Sequence, residues 1–309
     1  MSQCEFFVID VFANETFKGN PVMIVSAPAN LDSQCMQSFA SWNGMPETVF
    51  LTRASHDGPE DYVTRIFSPR AELGFAGHPS LGAAHVASEL GWAGATSRTP
   101  APAPFGLAED HAISMTQRCN AGLVDALVVE SRDKDFHAYV KTPSPADVRL
   151  LPSQITDRTL SALRSVAEVQ AYRVSAGANW IVIRFDDLAT MRALEPDMMA
   201  IEALSTLSGT SGITAYAATS SGALERFEIR SFGPAIGVPE DAICGGGNVC
   251  VAALESRLGH ARHGPDDFTT RQGRFVGRDG RARLIGPVSD ARFWVGGSTR
   301  TMLRGTVDL

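Results

Sequence analysis

Residues 75–91 read FAGHPSLGAAHVASELG, and residues 243–259 read ICGGGNVCVAALESRLG, an ungapped match 168 positions later. Five of the seventeen positions are identical: Gly77/Gly245, Ala84/Ala252, Ser88/Ser256, Leu90/Leu258 and Gly91/Gly259. Each copy reads as a glycine-containing turn that opens a small-residue helix. A chain that writes this unit twice is expected to build one domain twice and to aim two helix N-termini at one cleft.

The repeat extends upstream. Arg65-Ile66-Phe67-Ser68-Pro69 matches Arg230-Ser231-Phe232-Gly233-Pro234, and Gly19–Val25 weakly echoes Ala178–Arg184, in the same order in both halves. A unit this long, occurring twice, is not a solenoid repeat of about 20–50 residues. The 309 residues suit two domains of roughly 150 residues each. The polar run at 131–135 marks the expected boundary, giving domains 1–131 and 132–296.

Between the copies, β-like runs dominate: Phe6–Phe12, Val22–Val25, Glu47–Thr52, Tyr62–Phe67, Ala112–Thr116, Leu123–Glu130 and, opening the second half, His137–Lys141, then Ile181–Phe185, 213–218, 225–232, Arg281–Ile285, Arg292–Val295 and Met302–Val307. Helices are expected at Leu31–Trp42, 80–90, 157–167, 198–207 and after 247, and a loop at Thr99–Pro104. An antiparallel sheet wrapped on a central helix, made twice, is an α+β architecture.

A net charge of −7 without a Lys/Arg cluster argues against nucleic acid. Five scattered cysteines fit a reducing cytoplasm better than a disulfide framework. MSQCEFFVIDVF lacks a basic n-region, so no signal peptide is expected, and no apolar run approaches the ~18 residues of a membrane span. There is no dinucleotide fingerprint and no P-loop, and no H-E-x-x-H or C-x-x-C pairing is present, so no metal site is expected.

The chemistry concentrates at the repeated turns. Pro79 suits the first helical position, with His78 as cap, and Ser80 follows. First-turn N–H groups have no intrahelical partners and attract anions, so Gly77–Ser80 and Gly245-Gly246-Gly247-Asn248 are expected to hold a carboxylate, unless the glycines merely permit tight turns. Glu47 reads either as a solvated loop residue or as a general base. Asp241 reads as a second acid/base, a ligand-orienting group or a turn aspartate. Cys244 precedes the glycine run at a helix N-terminus, where a thiol is activated, or is a buried inert cysteine. Cys250 and His85 read as core.

Asp10-Val11-Phe12, Phe17-Lys18-Gly19-Asn20-Pro21, Pro46-Glu47-Thr48-Val49-Phe50, Phe67-Ser68-Pro69, Phe75-Ala76-Gly77-His78-Pro79 and Gly237-Val238-Pro239-Glu240-Asp241, in this order, resemble the phenazine-biosynthesis PhzF-like isomerases. Gln272-Gly273, Gly277-Arg278 and Val295-Gly296-Gly297 extend the likeness. The resemblance implies a diaminopimelate-epimerase-like fold of two β barrels, each around a central helix, with the active site between them and residues 297–309 returning to complete the first domain. It implies cofactor-free proton transfer in a homodimer, with Glu47 as acid/base and substrate contacts at Gly77, His78 and Asp241. Asn20, Pro79, Ser80, Cys244, Gly245, Gly246 and Gly247 complete the expected substrate-binding set. The family's E-D-P-x-T-G-S-A reads here Glu240-Asp241-Ala242-Ile243-Cys244-Gly245-Gly246-Gly247, so Gly246 replaces the substrate-bonding serine. Related racemases carry thiols at the places of Cys244 and Ala76. Three readings follow: an isomerase of a small carboxylate in which Glu47 moves the proton while His78 and Asp241 orient the substrate or relay the proton, a racemase or epimerase pairing Glu47 with Cys244, or a binding protein that kept the fold and lost the chemistry.

Overall fold

The computed structural model describes residues 3–55, 58–93, 98–100, 105, 111–131, 135–220, 222–259, 266–287 and 290–309. The chain divides into two units, one of residues 1–143 with 296–309 and one of residues 144–295.

The first unit is a closed barrel. Its strands are β1 (Gln3–Val11), β2 (Asn20–Ser26), β3 (Thr48–Arg53), β4 (Tyr62–Phe67), the two-residue β5 (Glu72–Leu73), β6 (Arg98–Pro100), β7 (His111–Cys119), β8 (Gly122–Glu130) and β9 (Phe136–Lys141). The closing strand, β17 (Trp294–Asp308), pairs with both β9 and β1. Two joins are parallel, β2 with β3 and β4 with β7. Parallel neighbours need a crossover, and each has a helix: α1 (Ser33–Asn43) bridges the first, α2 (Gly77–Glu89) the second. Asp32 caps α1 by accepting from the Gln34 and Cys35 N–H groups.

Helix α2 is buried on every side from Gly77 to Ala87 and meets β1, β2, β3, β4, β7, β8 and β9. Small residues allow this. A Cβ at Gly82 would lie 2.6 Å from Val22 Cγ1 on β2. His85 fastens the helix to the closing strand, with Nδ1 2.9 Å from Thr299 Oγ1 and Nε2 2.9 Å from Thr301 Oγ1. A second cluster outside the barrel, built on Met36, Ala40, Phe50 and Phe67, seats α1.

The second unit repeats the plan. Its strands are β10 (Asp147–Leu150), β11 (Ala171–Ser175), β12 (Asn179–Phe185), β13 (Ile213–Ala218), β14 (Glu225–Phe232), β15 (Asp266–Gln272) and β16 (Gly280–Gly286). Helix α3 (Ser153–Ala162) precedes β11; α4 (Leu188–Arg192) and α5 (Met198–Ser208) bridge the parallel β12 and β13; α6 (Gly245–Arg257) bridges the parallel β14 and β15. The pairing sequence β11–β12–β13–β14–β15–β16 is antiparallel, parallel, antiparallel, parallel, antiparallel. The series β1–β2–β3–β4–β7–β8 has the same alternation. Helix α6 is buried from Gly247 to Glu255 against β10, β11, β12, β13, β15 and β16.

Four expectations are corrected. The division falls after residue 143, not 131, because β9 is hydrogen-bonded along β8 and belongs to the first unit; residues 132–134 of the polar run lie outside those described. Arg98–Pro100 is not loop but pairs with β7, while 101–104 lie outside the described residues. The two expected terminal strands are one, β17. Strands β10, β11 and β15 arise where no strand was expected: β15 (DDFTTRQ) is polar along one face and shows no apolar run.

Candidate active site

Glu47 ends the turn that enters β3. Asn43 shapes that turn, accepting from Met45 N at 2.8 Å and donating Nδ2 to Thr48 Oγ1 at 2.9 Å. The glutamate is 8% exposed, so it is not a solvated loop residue. His78, 3% exposed, brings Nε2 to 3.6 Å from Glu47 Oε2. Burial pulls its imidazole down to about 3, partly opposed by the hydrogen bond it donates to the Pro21 carbonyl. Nε2 makes no hydrogen bond among the described residues, so Nδ1 carries the proton given to Pro21. The contact with Glu47 therefore falls within ion-pair distance without being an ion pair: the ring is neutral and offers a lone pair.

The first turn of α2 differs from expectation. Ser80 N bonds to Ala76 O, which makes Ala76 the cap and places Pro79 third in the helix rather than first; His78 is not the cap. Proline is tolerated there because its missing N–H is one of the first-turn donors. Gly77 and His78 keep their N–H groups without intrahelical acceptors. Ser80 is buried, and its hydroxyl accepts from Gln117 Nε2 at 3.0 Å. That hydroxyl anchors the helix to β7. Asn20 is buried at the start of β2.

In the second unit, Asp241 Oδ1 accepts from Ile243 N at 3.2 Å and so folds its own turn. Cys244, 6% exposed, caps α6: Sγ accepts from Gly247 N at 3.2 Å. Gln272 clamps this segment, accepting from Cys244 N at 3.3 Å and Asn248 Nδ2 at 2.9 Å, and donating to Asp241 O at 2.9 Å. Asn248 is fully buried and also accepts from Thr270 Oγ1 at 2.5 Å. The N–H groups of Gly245 and Gly246 are left without intrahelical acceptors at the helix's positive end. The sequence shows Gln272 only as a motif residue and gives no signal for Thr270. Cys250 is wholly buried, which pushes its thiol well up and leaves it inert.

The loops entering both central helices are held alike. Arg65 pairs bidentately with Glu72 at 2.8 and 2.7 Å, and Arg230 with Glu240 at 2.9 and 3.0 Å. Glu72 and Glu240 each stand five residues before their helix.

A profile described as "Phenazine biosynthesis-like protein" (PhzC-PhzF) matches residues 9–305. The chain belongs to that family. It is 30% identical over 317 residues to the trans-2,3-dihydro-3-hydroxyanthranilate isomerase of Pseudomonas chlororaphis, covering 98% of this chain and 99% of the relative. It is 28% identical over 314 residues to antisense-enhancing sequence 1 of Schizosaccharomyces pombe, covering 99% of each. The crystal structure of a PhzF-family phenazine biosynthesis protein from Bacillus anthracis superposes with a TM-score of 0.81 at 18% identity over the whole of both chains, which shows the fold. As a member of this PhzF-like group, the chain is an enzyme of the isomerase type. Among the described residues no helix is long and apolar enough to cross a membrane, and no group of three or more His, Cys, Asp or Glu gathers to hold a metal ion.

Proposed function

We propose that the protein catalyses a proton-transfer isomerisation of a small carboxylate, with Glu47 as the acid/base and no cofactor. The observation that carries this reading is the buried Glu47 beside a neutral His78, 3.6 Å apart. A carboxylate shielded from water takes a proton from an activated carbon and returns it to another. His78 Nε2, an acceptor at neutral pH, orients the proton held on Glu47 once the contact tightens by about half an ångström to hydrogen-bond length. Anion binding belongs to the first turns of the two central helices: the Gly77 and His78 N–H groups of α2 and, in the second unit, the Gly245 and Gly246 N–H groups of α6, whose turn Asp241 and Gln272 fix.

A hydroxylated cyclic diene acid, the substrate in the name of the Pseudomonas relative, has the required acidic C–H and carboxylate. Incubation with trans-2,3-dihydro-3-hydroxyanthranilate and a panel of small 2-amino and 2-hydroxy acids in deuterated water tests the proposal. The expected result is one substrate that gains deuterium at a new carbon with a moved double bond. Deuterium at the original stereocentre, with loss of optical activity, would instead establish the epimerase reading. No exchange with any member of the panel would leave the binding-protein reading.

A further inference from the structure

The two units differ sharply at one equivalent place. Thr48 is registered opposite Phe67 and Ile213 opposite Phe232, so Gly212 stands where Glu47 stands. The backbone agrees: Glu47 O accepts from Met23 N, and Gly212 O accepts from Ile181 N. Through the ungapped repeat, Gly246 stands where His78 stands. The acid/base pair of the first unit is thus two glycines in the second.

The space is filled by Trp180. A Cβ at Gly212 would meet the Phe232 carbonyl oxygen at 2.0 Å and Trp180 Cζ3 at 2.8 Å, and a Cβ at Gly246 would lie 3.3 Å from Trp180 Nε1. The indole spans from one glycine to the other, with its nitrogen edge at the first turn of α6. Trp180 is 2% exposed, and nothing among the described residues accepts from Nε1. A buried indole N–H normally has an acceptor. Here it lies at a helix end whose Gly245 and Gly246 N–H groups have no intrahelical acceptor. Gly246 itself is only partly buried, between buried Gly245 and Gly247. An indole N–H without an acceptor among the described residues, beside two first-turn N–H groups without intrahelical acceptors and a position with no side chain, matches an oxyanion.

We infer that the Trp180 indole N–H is a ligand donor, binding one oxygen of a carboxylate held at the first turn of α6. The inference rests on the carboxylate-binding part of the proposed function and names the residue that selects for it. Burial makes the bond strong, because no water competes for the N–H. It also makes the position selective: a ligand that offered an apolar edge here would leave the N–H unsatisfied.

The test is a titration of the full-length protein, labelled with nitrogen-15, with anthranilate, pyrrole-2-carboxylate and sulfate. The chain has four tryptophans, so its indole resonances are assignable by single Trp→Phe variants, Trp42, Trp92 and Trp294 identifying Trp180 by elimination if Trp180→Phe does not fold. At least one carboxylate is expected to move the Trp180 indole proton downfield at saturation. Trp180→Phe, which keeps an aromatic ring in the same space, should bind that probe about tenfold or more weakly, as for loss of a hydrogen bond to a charged group. Glu47→Gln should retain the shift, so failure of the base assignment and failure of this one are read separately. An indole resonance that no probe moves would overturn the inference. So would a folded Trp180→Phe that binds as tightly as the parent.

Discussion

His78 Nε2 stands 3.6 Å from Glu47 Oε2, with the ring's other nitrogen tied to the Pro21 carbonyl. The pair is polar but not ionic: a neutral imidazole presents its lone pair to a carboxyl that can carry a proton. Glu47→Gln keeps the shape and removes the titrating oxygen. Turnover should fall by about 10²–10⁴, the usual contribution of a positioned acid/base. The measurement is kcat on the substrate identified by deuterium exchange. Turnover within a factor of a few of the parent would remove Glu47 from the mechanism.

The neutral state of His78 predicts how stability depends on pH. Folded, the group titrates near 3; unfolded, near 6.5. Between those values the unfolded chain binds a proton that the folded chain refuses. Stability is therefore intact above about pH 6.5 and declines as the pH falls towards 3, with a slope approaching about 1.4 kcal/mol per pH unit from this group. Glu72, held low by its hydrogen bond to Arg65, and Glu89, held low chiefly by His85, begin to lose their contributions only below about 4.5. Urea denaturation between pH 7.5 and 5 should show the decline in the parent protein and a much flatter profile in His78→Leu. Equal slopes in the two would mean that His78 is not the group responsible.

The duplicated ion pairs should be unequal in energy. Arg230 is 5% exposed and also donates to the Arg192 and Leu194 carbonyls, while the Arg65 side chain is 30% exposed. Removing one member of a buried pair leaves an uncompensated charge and costs about 3–5 kcal/mol. A pair in contact with water is worth about 0–1 kcal/mol. Arg230→Met should therefore lower the melting temperature by many degrees and Arg65→Met by few. Comparable losses for both substitutions would show that the pairs are energetically equivalent after all.

The duplication was legible because packing constrains it. A helix buried on every side tolerates only small residues, and these survive in both copies: Ala84 and Ala252, Gly77 and Gly245. The Arg65 and Arg230 blocks were visible, but not their use, since Glu72 and Glu240 are separated from them in sequence. The helix anchors were hidden by exchange of chemistry: Ser80 bonds Gln117 in one unit, and Asn248 bonds Thr270 at the equivalent position in the other. His78 was misread as a cap because proline usually opens a helix; here it sits deeper in a turn whose donors are free anyway. Trp180 carried no signal, for a lone tryptophan in an apolar strand reads as core. Its meaning depends on Gly212 and Gly246, which only the strand registers bring to it.

The choice between isomerase and Glu47/Cys244 epimerase turns on what the thiol is doing. Sγ of Cys244 accepts from Gly247 N at 3.2 Å, the position of a helix cap. Serine is a preferred residue for that position, so Cys244→Ser should preserve or raise stability. An enzyme that uses the thiol only as a cap should keep kcat within a few-fold. A thiol that exchanges the proton could not be replaced this way, because a serine hydroxyl is far too weak an acid to exchange protons near pH 7. Turnover and deuterium incorporation at the original stereocentre, measured side by side, separate the cases. A loss of orders of magnitude in Cys244→Ser, with the melting temperature unchanged, would transfer the second proton to Cys244 and make the protein a two-base epimerase.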